Sequence, residues 1–274
     1  MLVIAAAAAV MHAAWNVLVK TSADPLATNT RSTVSSALLI TPVAAAIWWT
    51  AGRPGLPLGA WLALLASAAA EVAYFELLSR GYRTGEISVV YPVARGLGPV
   101  IAVVAGLALL HERLSGLELA GIAALIAGIW LVRGSGLRVT AAVGLALGTG
   151  VMIGTYTVLD RIGVRLVSPW LFGWLLWCAI GAGLALRTRF APLLEARLDW
   201  GRSLTVGVLQ TATYFLILFA LSVAPVALVS PVRESAIVIV TAWGIWRLRE
   251  RGQIAFKVAG TLAIVAGVAL IALA

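Results

Sequence analysis

Residues 89–113 read VVYPVARGLGPVIAVVAGLALLHER, an apolar run interrupted by a proline, Pro92, and a permanent charge, Arg95, before it closes on Glu112-Arg113. A second stretch, LVSPVRESAIVIVTAWGIWRLRER at 228–251, repeats that order with Pro231, Arg233 and Glu250-Arg251. Arg95 precedes Glu112 by seventeen residues, and Arg233 precedes Glu250 by the same seventeen. A charge at the centre of a spanning helix costs roughly 2.5–3.5 kcal/mol on insertion scales. Two arginines at matching places therefore need a common physical reason.

The rest of the chain supplies the setting. It is 62% hydrophobic and only 11% charged, against about 25% charged in a soluble domain, and its mean hydropathy is +1.02. A soluble core cannot hide that much apolar surface, so the solvent is a lipid bilayer. The net charge of +9 is scattered over loop edges. It reads as topology signals and lipid-headgroup contacts, not as a nucleic-acid surface. The single cysteine, Cys178, excludes an intramolecular disulfide and a thiolate metal cluster. The N-terminal MLVIAAAAAVMHAAW lacks a basic leader, and its apolar run continues to Lys20, so it reads as a mature spanning helix and not a signal peptide.

A hydrocarbon core of about 30 Å takes roughly 20 helical residues to cross. Runs of that length fall at 2–20, 28–50, 60–80, 86–110, 116–133, 139–160, 168–187, 203–223, 226–247 and 254–273. AGRPGLP, SRGYRTGE and RGSGLR punctuate them, whereas Ala224-Pro225 leaves almost no loop between the eighth and ninth. The two halves correspond in order. AGIAALIAGIW at 120–130 answers AGTLAIVAGVA at 259–269, and MHAAWNVLVK at 11–20 answers MIGTYTVLDR at 152–161. The expectation is an all-α integral membrane fold of ten transmembrane helices, with repeats at 1–135 and 136–274. Five spans per half, an odd number, place the second half upside down, an architecture of transporters with a midplane site between the repeats.

HAAWNVLVK in helix 1, TYTVLDRIGV in helix 6 and YPVARGLGPVIAVVAGLALLHERLS leading into helix 5 resemble the drug/metabolite transporter superfamily, specifically proteins with paired EamA domains. The resemblance covers essentially the whole chain. It implies secondary transport of small metabolites by alternating access, often export of amino acids or related compounds. WRLRERGQ, after the second arginine, is more basic than the family pattern. Orientation has two readings. Loops after odd-numbered spans hold most of the Lys and Arg, including Lys20, Arg31, Arg80, Arg83, Arg187, Arg189 and Arg202, which places both termini outside. The resemblance implies cytoplasmic termini.

Depth and helical spacing pick out candidate site residues. Glu71 and Arg95 each lie roughly 13 Å from the same face, and Arg233 about 11 Å from the opposite one, so all three approach the midplane. Glu71 is the expected partner of Arg95, while Glu76 and Glu234 are the other carboxylates near the arginines. His12, Trp15 and Asn16 share a face of helix 1. Glu71, Tyr74 and Phe75 share one of helix 3, and Gln210, Thr213 and Tyr214 one of helix 8. Tyr91 precedes Pro92 on the arginine helix, and Tyr156 takes the place of Trp15 in the second half. Pro92 and Pro231 each remove a backbone donor, which fits either a packing kink or a cavity wall. Gly144, Gly148, Gly150 and Gly154 read as a small-residue packing ridge.

Other classes fit poorly. HER at 111–113 is not a zinc motif, no G-x-S-x-G exists, and Asp24, Asp160 and Asp199 read as helix-end or loop residues. A selectivity filter would need repeated rings of ligands. A membrane channel or a non-transport membrane protein is the alternative. Guanidinium groups suit carboxylate or phosphate, so the expected partner is a small carboxylated, amino-acid-like metabolite or another organic anion. No cofactor or metal is expected. Energy comes from a proton gradient or exchange, since no nucleotide motif is present. The membrane is expected to be the cell (inner) membrane, and a monomer suffices.

Overall fold

The computed structural model describes residues 2–85, 87–132, 141–195, 199–233, 236–247 and 253–273. Among them are twelve helices: α1 Leu2–Lys20, α2 Pro25–Thr50, α3 Leu58–Thr84, α4 Ile87–Ala108, α5 Gly116–Val132, α6 Ala141–Leu166, α7 Pro169–Arg187, α8 Ala191–Leu194, α9 Trp200–Val223, α10 Val226–Arg233, α11 Ala236–Trp246 and α12 Ile254–Leu273. Helices α2, α3, α6, α7, α9 and α12 contain stretches long and apolar enough to cross a membrane, and Val93–Ala108 of α4 and Gly116–Leu131 of α5 are shorter apolar stretches. The short α8 lies in the connection between α7 and α9. The ninth expected span is represented by α10 and α11, which flank residues 234–235, outside the described set. The backbone stays helical through Pro92 and Pro231.

Local chemistry sets the helix ends. Asp24 caps α2 by accepting from the Leu26 and Ala27 amides at 2.9 and 3.0 Å, with Pro25 at the first helical position, where its missing N–H costs nothing. Ser115 and Glu118 form a reciprocal capping box that opens α5. Asp199 accepts from the Arg202 amide at the start of α9.

The outer surface is apolar where that of a soluble protein is polar, and the apolar core holds polar groups. Leu38, Val43, Leu62, Leu65, Val104, Leu262 and Val265 face outward, while Asn16, Asn29, Ser67, Thr149, Thr157 and Asp160 are buried. That distribution is what a lipid solvent selects, because a polar group is cheaper inside the bundle than against hydrocarbon. Arg31 is a correction to the reading of basic residues as headgroup contacts. It is buried, donates to the carbonyls of Pro192 and Glu195, and stacks over Trp200, so it ties the α8 connection to α2.

The two halves interlock. Helix α1 packs on α9 and α6 on α3; α2 packs on α9 and α7 on α3; α4 packs on α6 while α10 and α11 pack on α1. Each contact has its counterpart when one half is exchanged for the other. Helices α5 and α12 pack on each other and meet through glycines. A Cβ on Gly121 would lie 2.8 Å from the Gly267 carbonyl oxygen, and one on Gly128 would lie 2.6 Å from that of Gly260. Ascending numbers on α5 meet descending numbers on α12, so the pair runs antiparallel. In α6 only part of the expected ridge is tight. Gly150 and Gly154 approach the Ala94 and Gly98 carbonyls of α4, Gly148 meets the Leu77 side chain, and Gly144 has open space.

Candidate functional site

A cavity of about 30 Å³ lies where α1, α3, α6, α7, α9 and α10 converge. The first half contributes His12, Trp15, Glu71, Tyr74 and Phe75; the second contributes Tyr156, Trp177, Gln210, Thr213, Tyr214, Ile217 and Arg233. Most candidates singled out in sequence are thus brought together on its wall. Asn16, Tyr91 and Arg95 stand one layer behind, and Glu234 lies outside the described residues. Binding pockets for small molecules usually measure about 300–1,000 Å³, so this conformation is contracted around its lining. Trp177 was not legible in sequence. It sits on a uniformly apolar helix beside Trp170 and Trp174, and only its bond from Nε1 to Ser36 Oγ at 2.9 Å shows that it faces inward.

The walls are aromatic. The Tyr74 and Tyr156 rings meet edge to face at 5.7 Å, Trp177 and Tyr214 lie 5.0 Å apart, and His12 and Trp15 lie 4.9 Å apart.

The two arginines, equivalent in sequence, differ in place. Arg233 reaches the cavity, with its guanidinium 3.4 Å from Thr157 Oγ1 and 5.8 Å from the Tyr156 ring centroid. Arg95 contacts His12 Nε2 and the Tyr74 hydroxyl, the latter at 3.3 Å, and lies over the Tyr91 ring. A guanidinium can only donate, so His12 Nε2 accepts and the ring proton is assigned to Nδ1. That nitrogen is buried in the cavity wall with no partner among the described residues, and Gln210 Oε1 is in the same condition. The amide nitrogen of Gln210 is already committed to Asn29 Oδ1 at 2.9 Å. Among the described residues, the cavity wall therefore carries an unanswered donor and an unanswered acceptor. Asn16 serves this layer from behind, accepting from Tyr82 at 2.7 Å and donating to the His12 carbonyl.

The carboxylates are arranged otherwise than depth alone suggests. Among the described residues no ion pair joins Glu71 to Arg95. Glu71 faces Tyr214, Asp160, Arg233 and Arg95 together. Asp160 is a buried carboxylate and not a helix-end residue, because α6 continues to Leu166. It accepts from Ser67 and from Tyr214, both at 2.6 Å. Ser67 and Glu71 are one helical turn apart on α3, so the two carboxylates confront each other across Tyr214. Glu76 belongs elsewhere, paired with Arg80 and Arg187.

The comparisons with known proteins agree with this architecture. Twenty-nine chains of solved structures match. One crystal structure aligns over 99% of this chain and 96% of its own at a TM-score of 0.72 and 18% identity, a likeness of fold alone. No curated protein matches in sequence. The pattern of the EamA-like transporter family matches twice, at residues 1–134 and 140–273. A multi-pass helical chain with a polar interior and two such units end to end belongs to the EamA-like transporter family, whose members are membrane transporters and not enzymes.

Proposed function

We propose that the protein is a secondary active carrier that exports a small amino-acid-like metabolite by alternating access, through one site shared by inverted repeats at 1–135 and 136–274. The observation that carries this reading is the cavity at the contact of the two halves, with polar atoms of both signs and aromatic walls. Arg233 and the His12 Nδ1–H suit a carboxylate. Glu71 and the unanswered Gln210 Oε1 suit an ammonium group, and the rings of Tyr74, Tyr156, Trp177 and Tyr214 suit an apolar or planar remainder. Asn16, Tyr91 and Arg95 hold that lining from behind. An organic anion without an ammonium group is the second reading, supported by Arg233.

The antiparallel pairing of α5 and α12 supports inversion. Two helices related by a two-fold axis run antiparallel when that axis is perpendicular to them, which for spanning helices means in the membrane plane. Ten spans, with α10 and α11 forming one, complete the topology. A proton on the Glu71–Asp160 couple supplies the coupling. Two carboxylates facing each other in a dry site hold their charges only while cations stay close, so movement of Arg233 with the substrate changes their proton affinity. The working membrane is the cell (inner) membrane, and a monomer contains the whole site.

The test is a metabolite screen: efflux and accumulation in cells overproducing the protein, followed by counterflow in proteoliposomes. Stimulation by substrate on the far side marks a carrier and its absence a channel. Preference for a purely cationic compound sinks the amino-acid and anion readings alike.

A further inference from the structure

The motif at the end of the arginine stretch, Glu112, has no part in the cavity, yet its placement is specific. After α4 the backbone turns back at His111, where φ is 52°, and the Glu112 amide donates to the Gly106 carbonyl at 2.9 Å. The folded-back carboxylate reaches the start of α10. Its two oxygens accept from the Val226 and Ala227 amides at 2.8 and 3.0 Å, so it caps a helix from another part of the chain. A Cβ on Gly106 would lie 2.5 Å from Glu112 Oε2, so glycine leaves the room this capping needs. Arg161 completes the cluster, paired with Glu112 at 3.6 Å and donating to the Leu221 carbonyl near the end of α9. Both side chains are buried, at 9% and 5% exposure.

The opposite end of the bundle carries a counterpart. Lys20, the residue that answers Arg161 in the repeat, donates to the Tyr82 and Gly85 carbonyls at 2.6 and 2.7 Å, where α3 ends and α4 begins. Helix α4 thus runs from the Lys20 cluster to the Glu112 cluster, and the cavity lies between them. Helix α10 links the second cluster to the cavity: its first residues are capped by Glu112, and its last residue is Arg233, roughly 10 Å further along.

We propose that Glu112 and Arg161 form an ion-pair latch that closes one mouth of the transport pathway and positions Arg233 through α10. The proposal rests on the carrier reading for its purpose, but not for its test. Breaking the pair frees the α9–α10 junction to part from the end of α4. Lys20 closes the other mouth.

The experiment places a reporter cysteine at Thr213 on the cavity wall, in a Cys178→Ser background, and measures its labelling by a membrane-impermeant thiol reagent in right-side-out and inside-out vesicles. Glu112→Gln and Arg161→Gln are expected to speed labelling about tenfold or more, from the face where α6 and α9 end and not from the other. Arg161→Lys is expected to behave as the parent protein, because lysine serves at the matching position. Lys20→Gln is expected to speed labelling from the opposite face. Unchanged labelling in Glu112→Gln and Arg161→Gln overturns the latch, as does equal acceleration from both faces or an Arg161→Lys protein as open as Arg161→Gln. If Glu112→Gln does not fold, Arg161→Gln and Arg161→Lys carry the test, since both leave the Glu112 cap in place. The readout needs no substrate, so a failed metabolite screen and a failed latch are separate results.

Discussion

Neutralising one member of the carboxylate couple gives a quantitative test of coupling. In Glu71→Gln the shape is kept and the charge removed. Glu71 is buried and faces Tyr214, Asp160, Arg233 and Arg95. Glutamine keeps an acceptor oxygen but gives up the attraction to the arginines, a loss offset because a charge no longer has to be buried beside Asp160, so the protein should fold. Asp160→Asn is more costly. It leaves one of the two hydroxyl-to-carboxylate bonds of 2.6 Å as a neutral bond and forces the other hydroxyl to turn and accept from Nδ2. The loss is about 1–4 kcal/mol in all, partly offset because a charge no longer has to be buried. The functional effect should be similar in both. A one-unit pH gradient is worth about 1.4 kcal/mol per coupled proton, or roughly tenfold accumulation. In proteoliposomes loaded with the metabolite found by the screen, the parent protein should approach that ratio. Glu71→Gln should fall to simple equilibration while substrate-for-substrate exchange continues at saturating substrate, with a raised KM because the ammonium group loses one charged partner. A well-folded Glu71→Gln protein that still accumulates its substrate tenfold removes Glu71 from coupling. Loss of both activities together shows that it only holds the site in shape.

Three further outcomes follow from the geometry. Gly128→Ala drives a methyl into the Gly260 carbonyl at 2.6 Å and should destabilise the α5–α12 contact by about 1–3 kcal/mol, read as a lower Tm in detergent, whereas Gly144→Ala, facing open space, should not. Arg31→Ala strands the Pro192 and Glu195 carbonyls and should cost about 2–4 kcal/mol, measured by the same thermal assay. Arg233→Gln should weaken binding of a carboxylated substrate about 30-fold or more, seen as the loss of ligand-induced thermal stabilisation, with Arg95→Gln acting more weakly because it touches the cavity through His12.

Much of this protein was legible in its sequence because a bilayer is an exacting solvent. Hydrocarbon demands long apolar helices with satisfied backbones, so the apolar helices could be read from the chain, and the few charges within them marked the interior. His12, Glu71, Gln210 and Arg233 could be placed on the cavity by helical phase and depth alone. The correspondence of MHAAWNVLVK with MIGTYTVLDR, and of the two proline–arginine stretches, came from local order along the chain, which needs no coordinates.

Partners between helices were a different matter. Phase and depth give a residue's face and level but not the helix it meets, so they pair Arg95 with Glu71, whereas among the described residues its hydrogen-bond partners include His12 and Tyr74. The same limit hid Asp160, which lies a turn and a half inside α6 and is held by hydroxyls from α3 and α9. It also left Glu112 as an unexplained motif until α10 was found resting on it. The sequence determined the solvent, the apolar helices, the tandem units and the family, because each depends on neighbours in the chain. Only tertiary packing decided which of two equivalent arginines reaches the cavity, because repeats with different side chains around them cannot close on one site in the same way.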